Sequence, residues 1–258
     1  MEAQLNRIKQ KLAYLQSEGW EKYPEDFAFF DHQLAMNPPL PLDKLLEFEQ
    51  TYQLKLPEGY RRFLLEVGNG GAGPYYGILP LEYWAEAFSP SWIENSRFDK
   101  MGHLLGECDA HPHPGKDYGV NEEDDYFLEW FKGTITLCDQ GCNYHSLLVV
   151  RGKEQGRVCY RGMMYEPYYM PDPDFLSWYE RWLDETLTRR TDMWFGGAGW
   201  MSEDKGPPDW QPLDLEEFLK TGPRPAETSR EIIRLDKSPS LSLLKLPDDL
   251  ETEEDIPF

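Results

Sequence analysis

The chain has 258 residues, of which 40% are hydrophobic and 14% aromatic, and this apolar content excludes a wholly disordered protein. Its 47 acidic and 26 basic residues give a formal net charge of −21. Such a charge repels nucleic-acid phosphates and anionic lipids, so we expect neither as a partner. It favours encounter with a basic protein.

Cysteine content and the first residues indicate the compartment. Four cysteines in a chain of this length do not make a disulfide framework. Residues 1–7 lack the apolar core of a signal peptide, and no run of about 18 apolar residues is present to span a membrane. We therefore expect a cytoplasmic protein whose cysteines are thiols.

The first 18 residues predict a helix, because apolar side chains recur there at helical spacing: Leu5, Ile8, Leu12 and Leu15. Arg7, Lys9 and Lys11 are expected to lie off that stripe. Aromatic residues are dense from Trp20 to Phe30. We therefore expect residues 1–36 to form a helical extension that packs on the core.

A second amphipathic helix is predicted from Pro57, which suits a first helical turn because its missing N–H has no partner there. Its apolar stripe is Tyr60, Phe63, Leu64 and Val67. Gly68 is expected to end this helix in the left-handed conformation. Five of the ten residues from Gly68 to Gly77 are glycine, which indicates a tight turn before the first strand.

These glycines also spell G-x-G-x-x-G from Gly68 to Gly73. A dinucleotide site requires a strand before this motif and a helix after it, so that the phosphates meet a helix N-terminus. Here a helix precedes the motif and a predicted strand follows it. The order therefore argues against nucleotide binding.

The remaining elements complete an α+β fold with an antiparallel sheet. A helix is predicted from Pro41 to Tyr52, before the helix that starts at Pro57. Three short apolar strands separated by glycine turns follow: Thr134–Cys138, Leu147–Arg151 and Arg157–Tyr160. A closing helix is predicted from Phe175 to Leu187, with Asp172 as its N-cap and Pro173 at its first position.

Three blocks of this sequence resemble the SUKH superfamily of Smi/Knr-type domains. They are the run LPEGYRRFLLEVGNGGAGPYYGILPLE from Leu56, the run GTITLCDQGCNYHSLLVV from Gly133, and the hairpin from Gly152 to Tyr160. The closing helix also lies where that family has one. The resemblance implies an α+β domain over residues 37–190, in which two helices precede the sheet. Residues 191–258 would then be a C-terminal extension, whose acidic end from Leu246 is expected to be mobile.

The resemblance also implies a binding protein without catalytic turnover and without a cofactor. Many bacterial members resemble immunity proteins that neutralise a cognate toxin, often a nuclease. An acidic inhibitor would suit a basic toxin. The alternative is a regulatory adaptor, because eukaryotic members resemble interaction hubs in cell-wall signalling.

Two kinds of chemistry remain open from the sequence. Cys138, Cys142 and His145 have a spacing that thiolate and imidazole ligands of zinc could use, and Cys108, His111 and His113 form a second group. A Cys–His nucleophile is a second reading of the first group. The alternative for each cysteine is burial as a small apolar group.

Partner contacts are expected in the long segment of residues 82–132, which lies between the strand predicted after the glycine turn and the strand Thr134–Cys138. Its acidic run is a candidate contact patch for a basic partner, to which exposed tryptophans would add anchoring contacts. The candidates are Glu122, Glu123, Asp124, Asp125, Trp84 and Trp92, with Trp194 and Trp200 as further tryptophans. The alternatives are a solvated loop for the carboxylates and core packing for the tryptophans.

Overall fold

The structure is a computed structural model, and it describes residues 1–22, 32–85, 132–141, 144–162, 165–188, 195 and 210–221. Among these residues no helix has both the length and the apolar character needed to cross a bilayer. The predicted division of the chain after residues 36 and 190 stays a prediction.

Among the described residues of the N-terminal third of the chain, three segments are α-helical. They are α1 (Glu2–Glu18), α2 (Leu42–Thr51) and α3 (Glu58–Glu66). The predicted stripes of α1 and α3 are buried, with Val67 only partly so. The amphipathic pattern therefore located both helices and their inward faces correctly.

A four-stranded antiparallel sheet follows, with its strands in the order β1-β2-β3-β4. The strands are β1 (Thr134–Gly141), β2 (Tyr144–Val149), β3 (Val158–Gly162) and β4 (Tyr165–Tyr169). The α+β prediction is confirmed. The sequence reading missed β4, which contains Pro167. An edge strand accepts proline because one side of its backbone makes no ladder bonds.

The closing helix α4 (Phe175–Thr188) contacts one face of the sheet. The register pairs Leu148 with both Ile135 and Val158, so these three side chains share a face. Tyr160 lies on the same face, and its hydroxyl accepts a hydrogen bond from the Trp178 indole N–H of α4 at 3.1 Å. The main core therefore lies between the sheet and α4, and α3 also packs against α4.

Helix α1 packs against α4 through a buried ion cluster as well as through its leucines. The Lys11 ammonium lies 2.8 Å from the Glu180 carboxylate and 2.6 Å from that of Asp184. Arg7 adds a bidentate contact to Glu180, with N–O distances of 2.7 and 2.8 Å. This contact raises the pKa of the Arg7 guanidinium, because the bound carboxylate stabilises its charged form.

The structure therefore corrects the prediction that Lys11 lies off the buried stripe. Its exposed fraction is 0%. It follows Ile8 by three residues, which places it on the flank of the apolar stripe. A lysine on that flank is normally solvated, and only the carboxylates of α4 make its burial favourable.

The glycine turn folds tightly on its own backbone. A Cβ atom at Gly70 would lie 2.7 Å from the Ile78 carbonyl oxygen, and one at Gly71 would lie 2.4 Å from the Ala35 carbonyl oxygen. Both residues have positive φ, of 86° and 110°. Gly68 does not, so the prediction that it ends α3 in the left-handed conformation is wrong. Gly68 is needed instead because a Cβ there would lie 2.6 Å from the Asn37 carbonyl oxygen.

The strand predicted after this turn is not a full strand. Residues 76–84 run along the free edge of β1 and make separate backbone hydrogen bonds, including Leu79 N to Leu137 O at 2.7 Å and Thr136 N to Trp84 O at 2.8 Å. Tyr75 and Gly77 have φ of 56° and 92°, which interrupts an extended backbone. The segment covers an edge that would otherwise be open to pairing.

The start of α4 also differs from the prediction. Asp174 is the capping residue, since its side chain accepts a hydrogen bond from the Ser177 backbone N–H at 2.8 Å. Asp172 instead forms a buried bidentate ion pair with Arg181, with N–O distances of 2.8 and 2.6 Å. Two aspartates flank Pro173, and only the tertiary contact with Arg181 distinguishes them.

We expect Gly71→Ala to lower the free energy of unfolding by about 3 kcal/mol or more, because it combines a left-handed backbone with a clash against backbone. Gly156→Ala is the matched control. Gly156 also has positive φ, 97°, but its added Cβ would meet only Pro57 Cβ at 3.6 Å, so we expect a loss of about 1–2 kcal/mol. Urea unfolding measures both, and equal losses would contradict the close approach at Gly71.

Candidate functional site

Of the predicted contact residues, the structure describes Trp84 alone. Its side chain is 8% exposed. The indole N–H donates to the Tyr52 hydroxyl at 3.2 Å, and the two rings meet edge to face with centroids 5.0 Å apart. Trp84 therefore belongs to the core, and its prediction as an exposed anchor is wrong. Trp92, Trp194, Trp200 and residues 122–125 lie outside the described residues.

The sheet register separates the two described members of the predicted zinc group. Cys138 pairs with Ser146, and Asp139 pairs with His145. Paired residues share a face and neighbouring residues alternate, so the Cys138 thiol and the His145 imidazole point to opposite faces. They cannot ligate one ion or form a nucleophile–base pair. Cys108, His111, His113 and Cys142 lie outside the described residues.

Both described cysteines are buried thiols in the sheet. Burial raises the pKa of Cys138 well above its ordinary value and that of Cys159 to about 12, because the thiolate would lose its hydration. Neither sulfur is ionised at neutral pH. These two thiols contribute packing, which was the alternative reading for Cys138.

The turn from Gly68 to Gly77 has no room for a phosphate. The close approaches at Gly70 and Gly71 are made by backbone atoms of residues 35–37 and 78–80. A phosphate cradle requires free backbone N–H groups, whereas Gly71 N donates to Ile78 O at 2.8 Å. The G-x-G-x-x-G spacing therefore serves the packing of the chain on itself.

A cleft of about 160 Å³ lies where the first turns of α1, α3 and α4 meet. This volume is well below the roughly 300 Å³ at which ligand pockets begin. Two of its polar side chains already have partners in the protein. Gln4 donates to the Ser177 hydroxyl at 3.3 Å, and Asp174 caps α4.

The net charge is unevenly distributed along the chain. The described residues contain 20 acidic and 15 basic side chains, against 47 and 26 in the whole chain. Residues 86–131 alone contain 11 acidic and three basic side chains. Most of the charge excess therefore belongs to sequence outside the described part.

Many carboxylates on the described surface are also matched by cations. Glu66 contacts both Lys9 and Arg62, at 2.7 and 2.6 Å. The ammonium of Lys9 is the main reason that the pKa of Glu66 is lowered. Glu49 likewise contacts Arg61 at 2.8 Å. The described surface is thus less able to attract a basic partner than the total charge suggests.

Apolar contact area is present on α2. Leu42 and Leu46 lie one helical turn apart and are 54% and 47% exposed. Leu45 between them is fully buried. The sequence analysis predicted this helix but not its exposed leucine pair. Leucines at i and i+4 outside a buried stripe were the available signal.

The comparisons with known proteins agree with this fold. The profile of the SMI1/KNR4 family (SUKH-1) matches residues 39–185. This range includes α2, α3, the whole sheet and most of α4. No curated protein and no solved structure matches the chain.

We expect Trp84→Ala to cost about 3–5 kcal/mol of unfolding free energy, as for other buried aromatic truncations. The adjacent Tyr83 is 53% exposed, so Tyr83→Ala should change stability by no more than about 0.5 kcal/mol. Denaturant unfolding of both variants measures the difference. A small effect at Trp84 would contradict its assignment to the core.

Proposed function

Since the chain belongs to the SMI1/KNR4 family (SUKH-1), we propose that it is an immunity protein. In this proposal it binds a cognate, basic protein toxin, such as a nuclease, and inhibits it stoichiometrically. The mechanism requires occupation of the toxin's active surface and no chemical turnover.

The charge distribution carries this proposal. Residues 86–131 lie inside the family match, between the short helix Leu81–Tyr83 and β1. They contain 11 acidic side chains, four of them consecutive at Glu122–Asp125. A run of like charges repels itself in isolation and is favourable beside a basic surface. This segment therefore suits a partner that itself binds phosphates.

The described domain also supports the proposal, because it can serve as a rigid scaffold for residues 86–131. Its core is packed and its glycine turn is in close contact with neighbouring backbone, so the elements on either side of residues 86–131 are held in place. Trp84 precedes residues 86–131, and Thr136 of β1 follows them. The Thr136 backbone N–H donates a hydrogen bond to Trp84 O, so the two sides of the segment are joined to each other. A variable segment on a fixed scaffold is a common arrangement for recognition.

Attraction by charge accelerates encounter, whereas lasting affinity also requires desolvated apolar contacts. Leu42 and Leu46 are described side chains that offer such area. We include this leucine pair in the proposed contact surface.

The test uses the toxin encoded beside this protein's gene. We expect the variant Glu122→Gln, Glu123→Gln, Asp124→Asn and Asp125→Asn to raise Kd for the toxin by about tenfold, mainly through slower association. The difference should shrink in molar salt, because screening already weakens the wild-type attraction. Surface plasmon resonance at two salt concentrations measures both quantities.

A variant with the same change in charge is the matched control. Asp248→Asn, Asp249→Asn, Glu251→Gln and Glu253→Gln remove four carboxylates near the C-terminus, and we expect nearly unchanged binding. Equal losses in the two variants would show that only total charge matters. Tight binding without inhibition of the toxin would exclude an immunity protein and favour the adaptor.

A further inference from the structure

Residues 210–221 form a segment, here called the strap, that lies against α1 and α4. It includes Trp210, Leu213 and the short helix α5 (Leu215–Thr221). Leu213, Leu215 and Phe218 are partly buried against the core. The C-terminal part of the strap also contacts α1.

Asp184 of α4 connects the strap to the buried ion cluster. Its Oδ1 atom lies 2.6 Å from the Lys11 ammonium of α1. Its Oδ2 atom accepts hydrogen bonds from the Trp210 indole N–H at 3.2 Å and from the Leu213 backbone N–H at 2.9 Å. One carboxylate, 5% exposed, thus binds donors from two elements that are about 200 residues apart in sequence.

The charged groups around Asp184 make its two contacts interdependent. Glu180 lies one turn earlier on α4 and shares the Lys11 ammonium, while Arg7 approaches Glu180 from α1. Lys11 is the described cation in contact with the Asp184 carboxylate. An ionised carboxylate at this depth is favourable only with both its cation and its hydrogen-bond donors.

We propose that Asp184 couples the docking of α1 to the docking of the strap, so that displacement of either element loosens the other. Removal of the strap takes two donors from Oδ2 and admits water, which weakens the ion pair with Lys11. Removal of α1 takes away the Lys11 cation and leaves the Asp184 carboxylate, which accepts the strap's hydrogen bonds, as a buried, uncompensated charge. A partner that displaced the strap would therefore alter α1 as well.

Thermodynamic linkage makes this proposal testable in both directions, because a coupling free energy acts equally on both sites. Hydrogen exchange of the full-length protein, followed by NMR, gives rates for individual amides. Trp210→Ala should accelerate exchange in α1 by about fivefold or more. Lys11→Met should accelerate exchange of the Leu213 amide, the hydrogen donated to Asp184, by a comparable factor.

Two controls and one reference region separate coupling from general destabilisation. Leu219→Ala changes an exposed side chain of the strap, 51% exposed, and Gln10→Ala changes an exposed one of α1. Both should leave the other element's exchange unchanged. The amides of the central strand β2 are the reference, because β2 pairs with β1 and β3, and their rates should not change in any variant.

Three results would overturn the proposal. Acceleration confined to the mutated element would show independent docking. An equal acceleration in α1 and β2 would show loss of global stability without local coupling. A Leu213 amide that is unprotected in the wild-type protein would show that the strap does not dock on Asp184.

Discussion

The burial of one ammonium group constrains how the helices of this protein assemble. Lys11 is fully removed from water, so the structure must supply anionic oxygens at hydrogen-bond distance. Both carboxylates come from α4, one turn apart, and this fixes the position of α1 along that helix. An ion pair of this kind adds little net stability, because its desolvation cost offsets much of its attraction.

The same constraint extends in two directions. Through Glu180 it includes Arg7, and through Asp184 it includes the segment from Trp210 to Thr221. The family match covers residues 39–185, so Lys11 and Arg7 lie before it and the strap after it. Both flanking elements are attached to the matched domain in part by the same polar groups on α4, Glu180 and Asp184.

The division between scaffold and charge is the main functional feature of the chain. The described residues are nearly balanced in charge, and several of their carboxylates are held in ion pairs. The acidic excess belongs largely to residues outside them, above all 86–131. In the proposed function, this acidic excess attracts the basic partner, while the packed domain provides a scaffold and an exposed leucine pair.

The sequence by itself determined the fold class and the main helices, because both depend on local information. Amphipathic spacing located α1 and α3, the apolar runs located three strands, and the order of the elements argued against a dinucleotide site. Contacts between distant residues decided the rest. The burial of Lys11 and Trp84, the capping role of Asp174 and the separation of Cys138 from His145 each depend on which side chain or strand lies opposite. No local pattern encodes that partner, because it is brought there only when distant parts of the chain pack together.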